Sequence, residues 1–306
     1  SPDHLFREIP PSRSGVKFVN KVEETDELNI LKLEYFYNGG GVAVGDFNRD
    51  GLPDLYFTAN LADNHLYLNQ GNLKFKDVTA EAGVAGEQRW KSGVAVVDIN
   101  GDGWLDIYVC ATIAGDTLYR RNLFFINQGL DEKGIPTFID KAAEMGVDNP
   151  SYSSNALFLD YDRDGDLDLY ILTNAKQHNI PVVYREKVND GTADNTDILM
   201  RNNGDGTFTD VSKEAGIRFE GFGLGVATCD INKDGWPDIY VGNDYLSNDI
   251  LYLNKGGKFE NVIDQMIKHQ SRFSMGNDIA DINNDGEVDI ITLDMLPEDN
   301  LRKKTV

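Results

Sequence analysis

A nine-residue acidic pattern, Asp-x-Asn/Asp-x-Asp-Gly-x-x-Asp, recurs five times along this 306-residue chain, and that recurrence demands a fold built from repeated units. The copies run Asp46 to Asp54, Asp98 to Asp106, Asp160 to Asp168, Asp230 to Asp238 and Asp281 to Asp289, with starts 52, 62, 70 and 51 residues apart. Such a period holds about four short strands and their loops. Five positions before each first Asp stands Gly41, Gly93, Asn155, Gly225 or Gly276, which predicts that the strands entering the loops approach one another closely. Each copy is followed by a β-rich run: Leu55-Tyr56-Phe57, Ile107-Tyr108-Val109, Leu169-Tyr170-Ile171, Ile239-Tyr240-Val241 and Ile290-Ile291-Thr292. A third run ends at Asn69, Asn127, Asn202 or Asn254 before a glycine-containing turn, and a fourth begins at Phe75, Phe138, Phe208 or Phe259. Strand, acidic loop, strand, connection, strand, turn, strand is an antiparallel meander.

The fold class expected is therefore all-β, a β-propeller of four-stranded antiparallel blades. Its blades are expected at 41–84, 93–147, 154–217 and 224–263, with the first half of a fifth at 275–295. Phe6-Arg7-Glu8-Ile9 followed by Gly15-Val16 matches Phe75-Lys76-Asp77-Val78 followed by Gly83-Val84, which predicts that residues 1–20 supply the outer strand of a closing blade. On this count 1–306 is one incomplete propeller domain.

The acidic loops carry the chemistry. Side-chain oxygens at positions 1, 3, 5 and 9, a backbone carbonyl at position 7 and the turn-forming glycine at position 6 suit a hard cation with six to eight oxygen ligands, which is Ca²⁺ more than Mg²⁺. The expected ligands of the first loop are Asp46, Asn48, Asp50, the Leu52 carbonyl and Asp54; those of the second are Asp98, Asn100, Asp102, the Trp104 carbonyl and Asp106. The third offers Asp160, Asp162, Asp164, the Asp166 carbonyl and Asp168. The fourth offers Asp230, Asn232, Asp234, the Trp236 carbonyl and Asp238, and the fifth Asp281, Asn283, Asp285, the Glu287 carbonyl and Asp289. No His or Cys stands in these loops to favour zinc or copper. Position 12, where an EF-hand needs Glu, holds Phe57, Val109, Ile171, Val241 and Thr292.

Charge agrees. With 51 acidic and 29 basic side chains the formal net charge is −22, which argues against nucleic acid as the partner; five Ca²⁺ would remove ten charges and leave −12. Sites of the extracellular class bind Ca²⁺ at about 0.1–1 mM and would stand empty in a resting cytosol, so an extracellular or cell-surface location is expected, ahead of the periplasm. Ser1-Pro2-Asp3-His4 has no export-signal character, and no apolar run reaches the length of a membrane span. Cys110 and Cys229, each within an apolar stretch, are expected as buried free thiols.

With these residues in hand the chain resembles the FG-GAP or VCBS-repeat β-propellers, the architecture of the integrin α-chain head; Gly41 to Leu55 carries the likeness most fully. Asn69-Gln70-Gly71 and Phe75 to Val84 are similar to the bacterial branch related to cartilage acidic proteins, with ASPIC/UnbV-type relatives. Tyr35 to Gly41 and Leu293 to Asn300 resemble surface lipoproteins of Bacteroidota. The resemblance implies about seven blades, with structural Ca²⁺ between the first and second strands, and a cell-surface setting such as the outer membrane of a Gram-negative bacterium. A lipid anchor upstream of the chain would fit that setting.

Three functional classes remain open. The first is a non-catalytic module that docks a protein or glycan, as an adhesion protein would, through loops opposite the acidic ones; its candidate face comprises Trp90, Tyr119, Arg120, Arg121, Lys176, His178, Tyr184 and Arg185. Ordinary solvated insertions are the alternative reading of those residues, and blade packing that of Trp90. The second is a calcium-dependent polysaccharide lyase using His178, Tyr184 or Lys187 as base. The third is an accessory subunit of an outer-membrane uptake or secretion complex. No nucleophile-and-base motif is present in the sequence, so no catalytic residue is assigned.

Overall fold

The runs that follow the second, third and fourth acidic loops become wholly buried strands, because a second strand in a meander is flanked on both edges and packed on both faces. The computed structural model describes residues 6–32, 35–87, 89–113, 117–174, 186–244 and 247–295. It divides into two compact units, Ser1–Val109 with Leu123–Ala142 and Cys110–Asn122 with Ala143–Val306.

The first unit holds two four-stranded antiparallel sheets. One runs β1 (Val42–Gly45), β2 (Asp54–Phe57), β3 (His65–Asn69) and β4 (Phe75–Asp77). The other runs β5 (Lys91–Val97), β6 (Asp106–Ala111), β7 (Leu123–Leu130) and β8 (Pro136–Asp140). Phe47, Tyr56, Leu66, Val78 and Val84 of the first sheet pack with Ile107, Leu123, Phe125 and Phe138 of the second into one core. Each such side chain contributes roughly 1.5–3 kcal/mol by leaving water.

The second unit repeats the plan with β9 (Ser153–Leu159), β10 (Asp168–Thr173), β11 (Ile198–Asn202) and β12 (Phe208–Asp210), then β13 (Gly223–Cys229), β14 (Asp238–Asn243), β15 (Ile250–Asn254) and β16 (Phe259–Asn261). A two-stranded sheet of β17 (Ser274–Ala280) and β18 (Asp289–Asp294) follows. Leu159, Tyr170, Leu172, Leu199, Ile239, Val241 and Tyr252 form the core between the two larger sheets. Every residue of β10 and of β14 is buried. The chain is all-β, a β-propeller fold of four-stranded blades.

The entering strands do approach closely. A Cβ on Gly225 of β13 would lie 2.7 Å from the backbone nitrogen of Asn277 in β17, and one on Gly41 would lie 2.9 Å from the Ser92 carbonyl. At the N-terminus residues 6–10 pair with no strand among the described residues, and Pro11–Ser14 form a helical turn, α1, that ends on left-handed Gly15. Pro10 and Pro11 lack the N–H groups a ladder needs, while proline in the first turn suits a helix. Lys17 N nevertheless donates to the Tyr67 hydroxyl at 3.3 Å and Phe18 stacks on Phe57 at 5.0 Å, so the segment runs along the first sheet. Cys110 is buried and burial pushes its thiol pKa up, whereas Cys229 is only half-buried; neither is in a disulfide.

Candidate functional site

Each acidic loop joins the first and second strands of its sheet, and two left-handed residues shape it. Position 6 holds Gly51, Gly103, Gly165, Gly235 and Gly286 at φ 82 to 97°. Position 4 is left-handed as well, although its residues include Arg49 (58°), Arg163 (61°), Lys233 (61°) and Asn284 (58°). L-residues hold this conformation only when surrounding structure compensates the strain. Here the compensation comes from the first Asp, which receives the next turn: in the first loop Asp46 accepts from Asp50 N at 3.1 Å and Gly51 N at 2.8 Å. The second, fourth and fifth loops repeat both bonds on Asp98, Asp230 and Asp281.

The ninth residue anchors the loop. Asp54, Asp106, Asp168 and Asp238 are at most 1% exposed. One oxygen of Asp54 accepts from Phe47 N at 3.0 Å and the other from Asn69 N at 2.7 Å. Burial pushes these carboxyls up, Asp54 and Asp106 to about 6 and Asp168 to about 7, with Asp238 raised in the same direction. A carboxyl so raised is one that a neighbouring cation would stabilise in its ionised form.

At position 3 the loops part company. Asn48, Asn100, Asn232 and Asn283 turn their amide nitrogens onto the fifth residue, Asp50, Asp102, Asp234 or Asp285, at 2.8 to 3.0 Å. The third loop has Asp162 there and no such donor. Its Asp160, Asp162 and Asp168 place oxygens within 4.8 Å of one another, and Asp160 Oδ1 is buried with no hydrogen-bond partner. An all-oxygen, multiply anionic set with an orphaned acceptor fits a hard divalent cation.

One group of site residues escaped the sequence reading of the loops. The asparagine closing each third strand, Asn69, Asn127, Asn202 or Asn254, clasps the loop from outside. Its N–H caps the ninth Asp at 2.7 to 2.8 Å. Its side-chain oxygen accepts from the following turn at Gly71, Gly129, Gly204 or Gly257. In addition, Asn127 Nδ2 donates to the Phe47 carbonyl of the preceding loop at 3.1 Å, and Asn254 Nδ2 to the Tyr161 carbonyl at 2.7 Å. Its invariable place before a glycine turn was the available signal.

The candidate ligand face is not assembled as expected. Trp90 is only 4% exposed and packs against Phe36 at 5.5 Å between ring centres, so it is core and no platform for a sugar. Arg120 donates to the Pro150 carbonyl at 3.0 Å and lies 4.3 Å over the Tyr152 ring, and Arg121 pairs with Asp148. Tyr119 beside them is 54% exposed. Lys187 Nζ donates to Asn248 Oδ1 at 3.0 Å. Lys176, His178, Tyr184 and Arg185 lie outside the described residues.

Comparison with known proteins places the repeats. The profile of the FG-GAP-like repeat family matches residues 46–109, 188–241 and 230–292. Cartilage acidic protein 1 of Xenopus tropicalis is 26% identical over 279 residues, covering 83% of this chain and 38% of the relative. The mouse protein of the same name is 26% identical over 206 residues, 67% of this chain and 29% of the relative. The chain thus spans about a third of the length of these relatives. Among solved structures, a lectin of Agrocybe aegerita described as recognising non-reducing terminal N-acetylglucosamine aligns with a TM-score of 0.45 at 18% identity, over 82% of this chain and 60% of that one.

Proposed function

Because this chain belongs to the FG-GAP-like repeat family, we propose that it is a calcium-stapled binding module of the extracellular space or cell surface, without catalytic chemistry of its own. The observation that carries the reading is the third acidic loop, where three carboxylates converge and Asp160 Oδ1 is buried without a partner. Asp160, Asp162, Asp164 and Asp168 would hold the ion there, and their counterparts would do so in the other four loops. The ion would supply positive charge to carboxylates that otherwise repel one another. At about twenty times its dissociation constant each Ca²⁺ adds roughly 1.5–2 kcal/mol to stability, so five sites would rival a domain's whole stability.

In this reading the blades are a rigid scaffold, and recognition of a protein or glycan falls to the loops on the opposite side, where lengths and compositions differ from blade to blade. Tyr119 is the exposed aromatic of that group among the described residues. The location follows from the weak affinity expected of such sites, which fill only where free Ca²⁺ is abundant.

The test is thermal unfolding in about 2 mM Ca²⁺ and again in excess EGTA at fixed Mg²⁺, with metal analysis after desalting. Several bound Ca²⁺ per chain and a large loss of melting temperature on chelation are expected. An unchanged transition with no bound metal would overturn the reading and remove the ground for an extracellular location.

A further inference from the structure

We propose that the fourth residue of an acidic loop couples it to the loop that follows, so that cations fill the loops cooperatively in two runs, the first with the second and the third with the fourth and fifth. This rests on the calcium reading above and assigns a role to residues that are not themselves ligands.

The left-handed backbone at position 4 directs its side chain out of its own loop. Arg49 Nε donates to the Gly103 carbonyl at 2.7 Å, its Nη2 donates to the Asp102 carbonyl, and its guanidinium lies 4.1 Å over the Trp104 ring. Arg163 sits 4.8 Å over the Trp236 ring, and a Cβ on Gly235 would come within 2.7 Å of its Nη2. Lys233 Nζ donates to the Gly286 carbonyl at 2.9 Å and to Glu287 Oε1 at 2.6 Å. In all three cases the cationic group lies against positions 6 and 7 of the next loop, and Arg49 reaches position 5 as well, the stretch that carries the fifth carboxylate and the seventh carbonyl. The second loop has Gly101 at position 4 and nothing to extend, which ends the first run.

Two opposed effects follow. A fixed cation beside the next site repels an incoming one, whereas pinning its peptide units removes the cost of ordering them. Arg49 and Lys233 lie in exposed surroundings, where water and salt at a screening length of about 8 Å weaken the repulsion. Arg49 spends its hydrogen bonds on carbonyl oxygens and leaves the carboxylates free for the ion. Ordering prevails, and an ion that closes one loop fixes the stance of the side chain it sends to the next. Linkage makes the effect reciprocal.

Tb³⁺ is the probe, because Trp104 and Trp236 stand at position 7 of the second and fourth loops and act as antennae for a lanthanide bound there. In a Trp236→Phe background the sensitised emission reports the second loop alone. Adding Arg49→Ala is expected to raise the half-saturating Tb³⁺ concentration about tenfold and to flatten the titration, with partial recovery in Arg49→Lys, which donates but cannot fork. The mirror pair, Arg163→Ala in Trp104→Phe, reads the fourth loop and keeps the test open if the first variant folds poorly. Half-saturation that is unchanged or lower in both pairs, with Ca²⁺-displaceable emission intact, would overturn the coupling alone. Absence of any Ca²⁺-displaceable emission from the parent chain would overturn the calcium reading and the coupling with it.

Discussion

The first and third sheets are the same meander, yet they differ at two places in the same sense. Where the first has Asn48 inside the acidic loop, the third has Asp162; where the first has Asn64 before its third strand, the third has Asp197. In the first sheet both amides close local networks. Asn48 donates to Asp50, while Asn64 accepts from Ala59 N at 3.1 Å and donates to the Tyr56 hydroxyl at 2.8 Å, which passes its own proton to the Val84 carbonyl. In the third sheet both positions are carboxyls. Beside Asp162, Asp160 Oδ1 is unpartnered, and Asp197 accepts from Thr173 N at 2.8 Å and the Tyr170 hydroxyl at 2.7 Å, with no ion pair to it among the described residues. An amide can give and take within one network, whereas a carboxylate only takes. At these two positions the first sheet satisfies its polar groups with amides, whereas the third leaves one carboxylate oxygen open and buries another carboxyl.

The largest effect expected from breaking this contrast is at Asp197, which burial pushes up to about 6. The groups facing it are Tyr170 and Thr173, with Tyr252 contributing electrostatically. A raised carboxyl pKa means the folded chain holds the proton more tightly, so its contribution is full below about pH 4 and is lost as pH rises through about 6. Asp197→Asn, which installs the amide of the first sheet, is expected to gain about 2–3 kcal/mol on the parent between pH 4.5 and 7.5, read from denaturant midpoints in both buffers. An offset that does not change with pH would remove the distinction between the two sheets at this end.

Next in size are the clasps, where the sheets are alike. Asn69→Ala and Asn202→Ala each delete a donor to the loop and an acceptor for the turn, so each is expected to cost about 2 kcal/mol. Unequal losses in equilibrium unfolding would mean that the third loop already leans on its clasp differently. The smallest effect is expected from exchanging the loop residue. Asp162→Asn should stabilise the calcium-free chain by about 0.5–1 kcal/mol, and Asn48→Asp should destabilise it by as much. Each should alter the Ca²⁺-dependent part of the melting temperature in the opposite direction. Calorimetry in EGTA and in Ca²⁺ separates the two contributions.

What could be read from the chain itself was local. The loops, the strands flanking them and the glycines of the entering strands are encoded within a few residues, so spacing revealed them. Whatever depends on a distant partner was hidden. Trp90 reads either as a sugar platform or as blade packing until Phe36 covers it, and Arg120 and Arg121 read as recognition groups or solvated side chains until Tyr152 and Asp148 meet them. The asparagine clasp was visible as a letter but not as a function, because its partners stand up to 93 residues away. The position-4 link was hidden for the same reason, since Arg49 meets its carbonyls 53 and 54 residues on.

The clasp also bears on how such a chain can change in length. Asn127 and Asn254 each tie their own sheet to the second residue of an earlier acidic loop, so the sheets of one unit are buttoned to one another. In each unit the buttonhole is the carbonyl after the first Asp of the earlier loop, and the button is the asparagine of the later sheet's third strand. Duplication or loss of a buttoned pair of repeats keeps the two in equal number and leaves neither clasp without a mate. A cut in the middle of a repeat separates button from hole. Growth and shrinkage by gene duplication therefore keep both clasps when the paired repeats move together.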